Sequence, residues 1–275
     1  MKNTTVSYGI FAWFGFILPP EEKFALIREA GFTSVCTWWD DALSEVNGKR
    51  ITHADMAQRA GLILENGHLP YSGTDALWFD SPEGDAMEKA LLDGIRDAGL
   101  TGVPTLVLHP YEWDIPAGGS KHTVRERFLR LGEAADKAGV RLAIENLSKQ
   151  GTYLEFLSLL PEDPVFGVCF DIGHGNIAAP GNFEIPEQFA NRLYALHLHD
   201  NSGTEDGHLL PGQGNIDWSA FGNVLSRTGY AGSYMLESCC PAVRDQITDI
   251  RTPAERDAAT YLEKAFAAVS AVLPR

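Results

Sequence analysis

Positive charge is scarce in this chain. Lys and Arg number 22 against 37 Asp and Glu, a formal net charge of −15 over 275 residues. Nucleic-acid phosphates and anionic membrane surfaces are held by clustered Lys and Arg. Neither is therefore expected as a partner. Cysteine is sparse as well. Cys36, Cys169, Cys239 and Cys240 show no CxxC metal spacing, and they read as reduced core or near-core thiols of a cytoplasmic protein. Cys240 has no local histidine to activate it as a nucleophile. No run approaches the roughly 18 apolar residues of a membrane span, and Met1 to Tyr8 is not followed by the apolar stretch of a signal peptide. There is no low-complexity segment and no linker. No GxGxxG follows the first strand, and Gly212-Gln213-Gly214 lacks a third glycine, which removes the main support for a dinucleotide-binding sheet.

What is present is an alternation. Short apolar runs recur at Val6–Ala12, Ser34–Trp39, Leu62–Leu69, Thr105–His109, Val140–Glu145, Phe166–Asp171, Tyr194–His199 and Gly232–Glu237. Most are apolar on both faces, as buried parallel strands are. Helical patterns lie between them. Pro19-Pro20-Glu21-Glu22 opens one that Gly31 closes. Asp85 to Ala98 buries Leu91, Leu92 and Ile95, with Gly99 as its C′ residue. Val124, Phe128, Leu131, Ala135 and Ala138 step by four and three up to Gly139. Asp217–Arg227 and Pro253–Val272 follow the same rule. Eight strands alternating with about eight helices predict an α/β fold, a (β/α)8 TIM barrel forming one domain over residues 1–275. An open doubly wound sheet is the alternative.

The strand ends carry the chemistry. His68 ends the third run, His109 the fourth, Glu145 the fifth and Asp171 the sixth, with His174 three residues on. His197 and His199 end the seventh, Asp206 and His208 follow in its loop, and Glu237 ends the eighth. In a barrel these ends meet at one mouth. Singly, such a histidine or acid is an ordinary loop hydrogen-bonder. Gathered together, they repel or go unsatisfied unless a cation joins them. Mixed His and carboxylate donors suit zinc, manganese or iron, and carboxylates alone suit magnesium. His197 and His199 share a strand face, so one of them suffices as a ligand and His199 is expected to support it.

Ile144-Glu145-Asn146, Phe170-Asp171-Ile172-Gly173-His174, Leu196-His197-Leu198-His199-Asp200-Asn201 and Pro211 to Trp218 resemble the signatures of the xylose-isomerase-like TIM-barrel superfamily. That superfamily holds sugar (phosphate) isomerases and epimerases, and apurinic endonucleases of the endonuclease-four type. The isomerase branch implies one divalent metal on Glu145, Asp171, His197 and Glu237, with His174 touching substrate. The endonuclease branch implies up to three zinc ions, adding His68, His109, His174, Asp206 and His208. Two departures narrow the first branch. Ketose 3-epimerases place a Glu where Gly151 stands and an Arg where Gly203 stands, so the resemblance implies the wider isomerase class. It also implies a homodimer, although no interface is legible.

The leading expectation is isomerisation or epimerisation of a sugar or sugar derivative. The metal would act as a Lewis acid on carbonyl and adjacent hydroxyl oxygens. Glu145 and Glu237 would move the neighbouring proton and His174 would steady a substrate oxygen. Phe14, Trp38, Tyr71 and Trp113 are placed near the mouth, as sugar-stacking or simply core aromatics. From Asp171 to Glu237 the only Lys or Arg residues are Arg192 and Arg227, both expected in helices. That favours a substrate without phosphate. A multi-metal hydrolase or lyase is the alternative, with DNA disfavoured by charge. A binding barrel keeping its metal only for structure is the third.

Overall fold

The computed structural model describes residues 7–147, 149–240 and 258–273. Eight strands are present, β1 (Tyr8–Phe11), β2 (Ser34–Trp38), β3 (Ile63–His68), β4 (Thr105–Leu108), β5 (Arg141–Glu145), β6 (Phe166–Asp171), β7 (Leu193–His197) and β8 (Tyr234–Leu236). They pair in parallel in the order β7-β6-β5-β4-β3-β2-β1-β8. The ring closes where Leu198 bridges Leu236, with the Leu198 amide donating to Met235 O and the Glu237 amide to Leu198 O. The barrel expectation holds, and the open sheet is excluded.

The helices are α1 (Pro20–Glu29), α2 (Ser44–Asn47), α3 (Arg50–Arg59), α4 (Pro82–Thr101), α5 (Lys121–Ala138), α6 (Gln150–Leu157), α7 (Ile172–Ala178), α8 (Glu184–Gln188), α9 (Trp218–Thr228) and α10 (Ala258–Val272). Alternate strand residues face in and out. Val168 and Phe170 join the outer core under the helices, whereas Cys169 packs inside the barrel with Val107, Ala143 and Ala195. Phe11, Cys36 and Met235 form a second interior group.

Several boundaries differ from the sequence expectation. Helix α4 starts at Pro82 because Ser81 caps it, accepting from the Gly84 amide. It runs through Gly99 to a left-handed Gly102 with φ 78°. Gly99 is inside the helix because a Cβ there would lie 2.9 Å from Ala138 Cβ on α5. Strands β1 and β8 are shorter than their apolar runs, and Val6 and Pro253 lie outside the described residues. Arg192 stands in a short 3-10 turn, Ala190–Arg192, and Arg227 in α9 as expected. Phe14 is corrected from mouth to core. It is fully buried and stacks on Tyr261 of α10. None of the four cysteines is in a disulfide, and only Cys239 is partly exposed. Among the described residues no helix is long and apolar enough to cross a membrane.

Candidate active site

The carboxyl ends of the strands surround a cavity of about 300 Å³. His68, His109, Glu145, His174, Asp206, His208 and Glu237 face into it. Its walls are aromatic, formed by Phe11, Trp13, Trp38, Tyr71 and Trp113. Trp38 packs edge-on against Phe11 and His68, with ring centroids 4.6 and 4.9 Å away. No Lys or Arg is among the described lining residues.

Glu145 is the hub. It is buried at the end of β5, with its Oε2 3.1 Å from His68 Nε2, 3.3 Å from His109 Nε2 and 3.2 Å from His197 Nδ1. Its Oε1 lies 3.5 Å from His174 Nδ1. Burial pushes the Glu145 carboxyl up, and the imidazoles of His197, His109 and His174 more than offset this, holding it well below the usual range. His197 Nδ1 also lies 2.9 Å from Glu237 Oε2. Burial pushes the His197 imidazole down, but its anionic neighbours hold it well above its ordinary value.

Backbone bonds set the imidazole orientations. His68 Nδ1 donates to Leu69 O at 2.7 Å, which turns Nε2 toward Glu145 Oε2. His208 Nδ1 donates to Glu237 O at 2.7 Å, and its backbone takes φ 45° to reach there. Such a conformation costs energy in a non-glycine residue and is concentrated at functional sites. Asp171 caps α7 by accepting from the His174 amide at 2.6 Å, so one motif places both residues.

One ligand atom each from Glu145, Asp171, His197 and Glu237 lies within 4.8 Å of the others. Four more groups meet the same limit, among them His68 with His109 and Glu145, and His199 with Asp206 and His208. Asp171 Oδ2, Asp206 Oδ1, His109 Nδ1 and both ring nitrogens of His197 and of His199 are buried without a hydrogen-bond partner. Buried polar atoms are rarely left so, and this donor set fits a divalent cation.

All nine sequence-selected residues therefore meet at one mouth. His199 is more central than expected. It is fully buried, with Nε2 3.2 Å from Asp171 Oδ1 and 3.5 Å from Asp206 Oδ1, and stacks on His208 at 4.3 Å. His174 Nε2 approaches the same Asp206 at 3.5 Å. Gly203, where an Arg was looked for, has φ 81°. Sequence reasoning missed Trp13 and Glu112 as lining residues, for no local pattern marks a loop residue that folds back over a cavity. It also missed Cys169, which joins Glu145 and His197 within the same 4.8 Å limit.

Known proteins share this framework. The y4fM protein of Sinorhizobium fredii, itself uncharacterized, is 38% identical over 242 residues, covering 74% of this chain and 76% of its own. The D-psicose 3-epimerase of Enterocloster bolteae is 25% identical over 238 residues, covering 76% of each chain. A solved structure of L-ribulose 3-epimerase superposes with a TM-score of 0.76 at 19% identity, covering 98% of this chain and 95% of that one, a likeness of fold. The family model described as xylose isomerase-like TIM barrel matches residues 24–265. With the barrel, its mouth and that match in agreement, the chain belongs to the xylose isomerase-like TIM barrel family.

Proposed function

We propose that this protein is a divalent-metal-dependent isomerase or epimerase of a sugar or sugar derivative. The observation that carries the reading is the Glu145–Asp171–His197–Glu237 group opening into an aromatic-walled cavity. The relationship to a D-psicose 3-epimerase supports it. Zinc or manganese suits these donors best, and magnesium or iron is compatible. When bound, the metal supplies Lewis acidity toward a substrate carbonyl.

The chain's own residues do the rest. Glu145 is held ionised by its imidazoles, the form in which a carboxylate can accept a proton. Glu237 approaches from β8, three strands away around the ring in the other direction. One carboxylate takes the proton from the carbon next to the carbonyl and the other, protonated, returns a proton, so the reaction is redox-neutral. His174 is anchored through Nδ1 to Asn146 O at 3.0 Å and offers its other nitrogen to a substrate oxygen. Trp38, Tyr71 and Trp113 pack against the apolar face of a sugar ring and exclude water. The absence of Lys and Arg among the described lining residues favours a neutral substrate over a phosphate ester. A soluble cytoplasmic enzyme, active as a homodimer on a small molecule, completes the proposal. The test is Glu145→Gln and Glu237→Gln, each made singly. Each is expected to lower turnover by about a hundredfold or more, and full turnover in either would overturn the reading.

The His68–His109–Glu145 and His199–Asp206–His208 groups favour a second reading, a two- or three-metal hydrolase or lyase. The −15 charge weighs against nucleic acid as its substrate. Elemental analysis separates the two. One metal per chain supports proton transfer, and two or three support hydrolysis.

A further inference from the structure

The barrel floor contains a thiol in an unusual place. Inward-facing residues of β6 are Cys169 and, one step above it, Asp171. Strand register sets Cys169 opposite Glu145 on β5 and Ala195 on β7, and sets Asp171 opposite His197. Cys169 is therefore level with the Glu145 backbone and below the Asp171 carboxylate. A ligand atom each of Glu145, Cys169 and His197 lies within 4.8 Å of the others, and all three residues are buried. Val107, Ala143 and Ala195 pack with Cys169 in the barrel interior. Both His197 ring nitrogens lack a hydrogen-bond partner, although the ring is fully buried.

We infer that Glu145, Cys169 and His197 form a second, sulfur-containing metal seat, one side-chain layer beneath the Asp171 and Glu237 carboxylates. The inference rests on the reading of the mouth as a metal centre. The two seats share Glu145 and His197, so they compete. Their difference is softness. Carboxylate and imidazole donors together suit manganese and zinc, whereas a thiolate favours the softer cadmium. Seating is an exchange without redox change. The Cys169 S–H bond breaks, its proton passes to solvent and a metal–sulfur bond forms. A thiophilic cation there draws the Glu145 carboxylate down and away from the cavity. Such a cation binds without supporting proton transfer at the mouth, which makes the layer a metal-discrimination device.

The test uses the full-length protein stripped of metal and titrated with Cd²⁺, reading the near-ultraviolet sulfur-to-cadmium absorption, with Mn²⁺ binding measured in parallel. Wild type is expected to gain the band to saturation at one cadmium per chain. Cys240→Ser is expected to keep it, since Cys240 is buried in the outer core, outside this ligand group. Cys169→Ser is expected to lose the band and to bind Cd²⁺ about tenfold or more weakly, with Mn²⁺ affinity unchanged. A band that persists in Cys169→Ser, or Cd²⁺ bound by wild type with no band, overturns the inference while leaving the upper seat intact. If neither Cd²⁺ nor Mn²⁺ binds, the metal-centre reading fails with it. Should Cys169→Ser not fold, cadmium NMR of wild type decides, a sulfur-ligated resonance supporting the seat and a purely oxygen and nitrogen one overturning it.

Discussion

Replacing Lys23 with Met is expected to stabilise the protein, and the gain is expected to vanish at high pH. Lys23 lies on α1 with only 2% of its surface exposed, and its Nζ donates to Asn47 Oδ1 at 3.2 Å. Burial pushes the amine down from 10.5 to about 8. Of the described residues lining its small cavity, only His53 also titrates, and burial holds His53 below its ordinary value and hence neutral in this range. The Lys23 shift corresponds to roughly 3 kcal/mol disfavouring the charged amine in the fold. Below pH 8 the amine is charged in both states, and the folded state bears that cost in full. Between pH 8 and 10.5 the unfolded chain binds more protons than the folded one, so stability rises with pH. Above 10.5 the cost is gone. Met at the same place carries no charge and loses one hydrogen bond, worth about 1 kcal/mol. Lys23→Met is thus expected to gain about 2 kcal/mol at pH 7 and to lose that advantage by pH 10.5. Denaturant unfolding of both proteins across this range measures the difference, and other titrating groups cancel in it. A difference independent of pH would refute the reasoning, because it would mean that the folded amine stays charged.

Asp200 accepts from the amides of Asn201, Gly212 and Ile216 and from Trp218 Nε1. Asp200→Ala is expected to cost about 3 kcal/mol or more by leaving these buried donors unpaired, measured by urea unfolding; a loss below about 1 kcal/mol would contradict it. In Gly173→Ala the new Cβ would fall 1.9 Å from the His199 ring. Displaced His199 is expected to lower the metal content of the His199–Asp206–His208 group, and unchanged stoichiometry would show that His199 is not a ligand. Trp38→Ala removes one wall of the cavity and is expected to raise KM about tenfold with a smaller change in kcat. Steady-state kinetics check this, and an unaltered KM would exclude stacking on Trp38.

Residue identity at the strand ends made much of this site legible in advance. A run apolar on both faces that stops at His or an acid marks the mouth of a barrel, and six such residues converge there with three from the segments that follow them. Less legible were properties set between strands. Cys169 looked like any core thiol, because its level opposite Glu145 depends on the register between β5 and β6. His199 shared parity with His197, but its burial depends on Gly173 on α7 leaving room for the ring. Gly99 reads as the helix stop in the sequence, and packing against Ala138 keeps it inside a helix that ends at Gly102 instead. Phe14 follows β1 closely, yet the chain turns outward there and sends the ring to Tyr261. Each miss was settled by tertiary contact rather than by local preference.

Hydrogen exchange at carbon is the most direct measure of the central claim. The protein reconstituted with Mn²⁺ or Zn²⁺ would be incubated with neutral ketoses in deuterated water, and the carbons next to the carbonyl followed by NMR. Metal-dependent proton transfer by Glu145 and Glu237 predicts deuterium entering at that carbon, lost on metal removal and in Glu145→Gln. Hydrolysis of a phosphodiester by the same preparation, with no exchange into any sugar, would contradict the account.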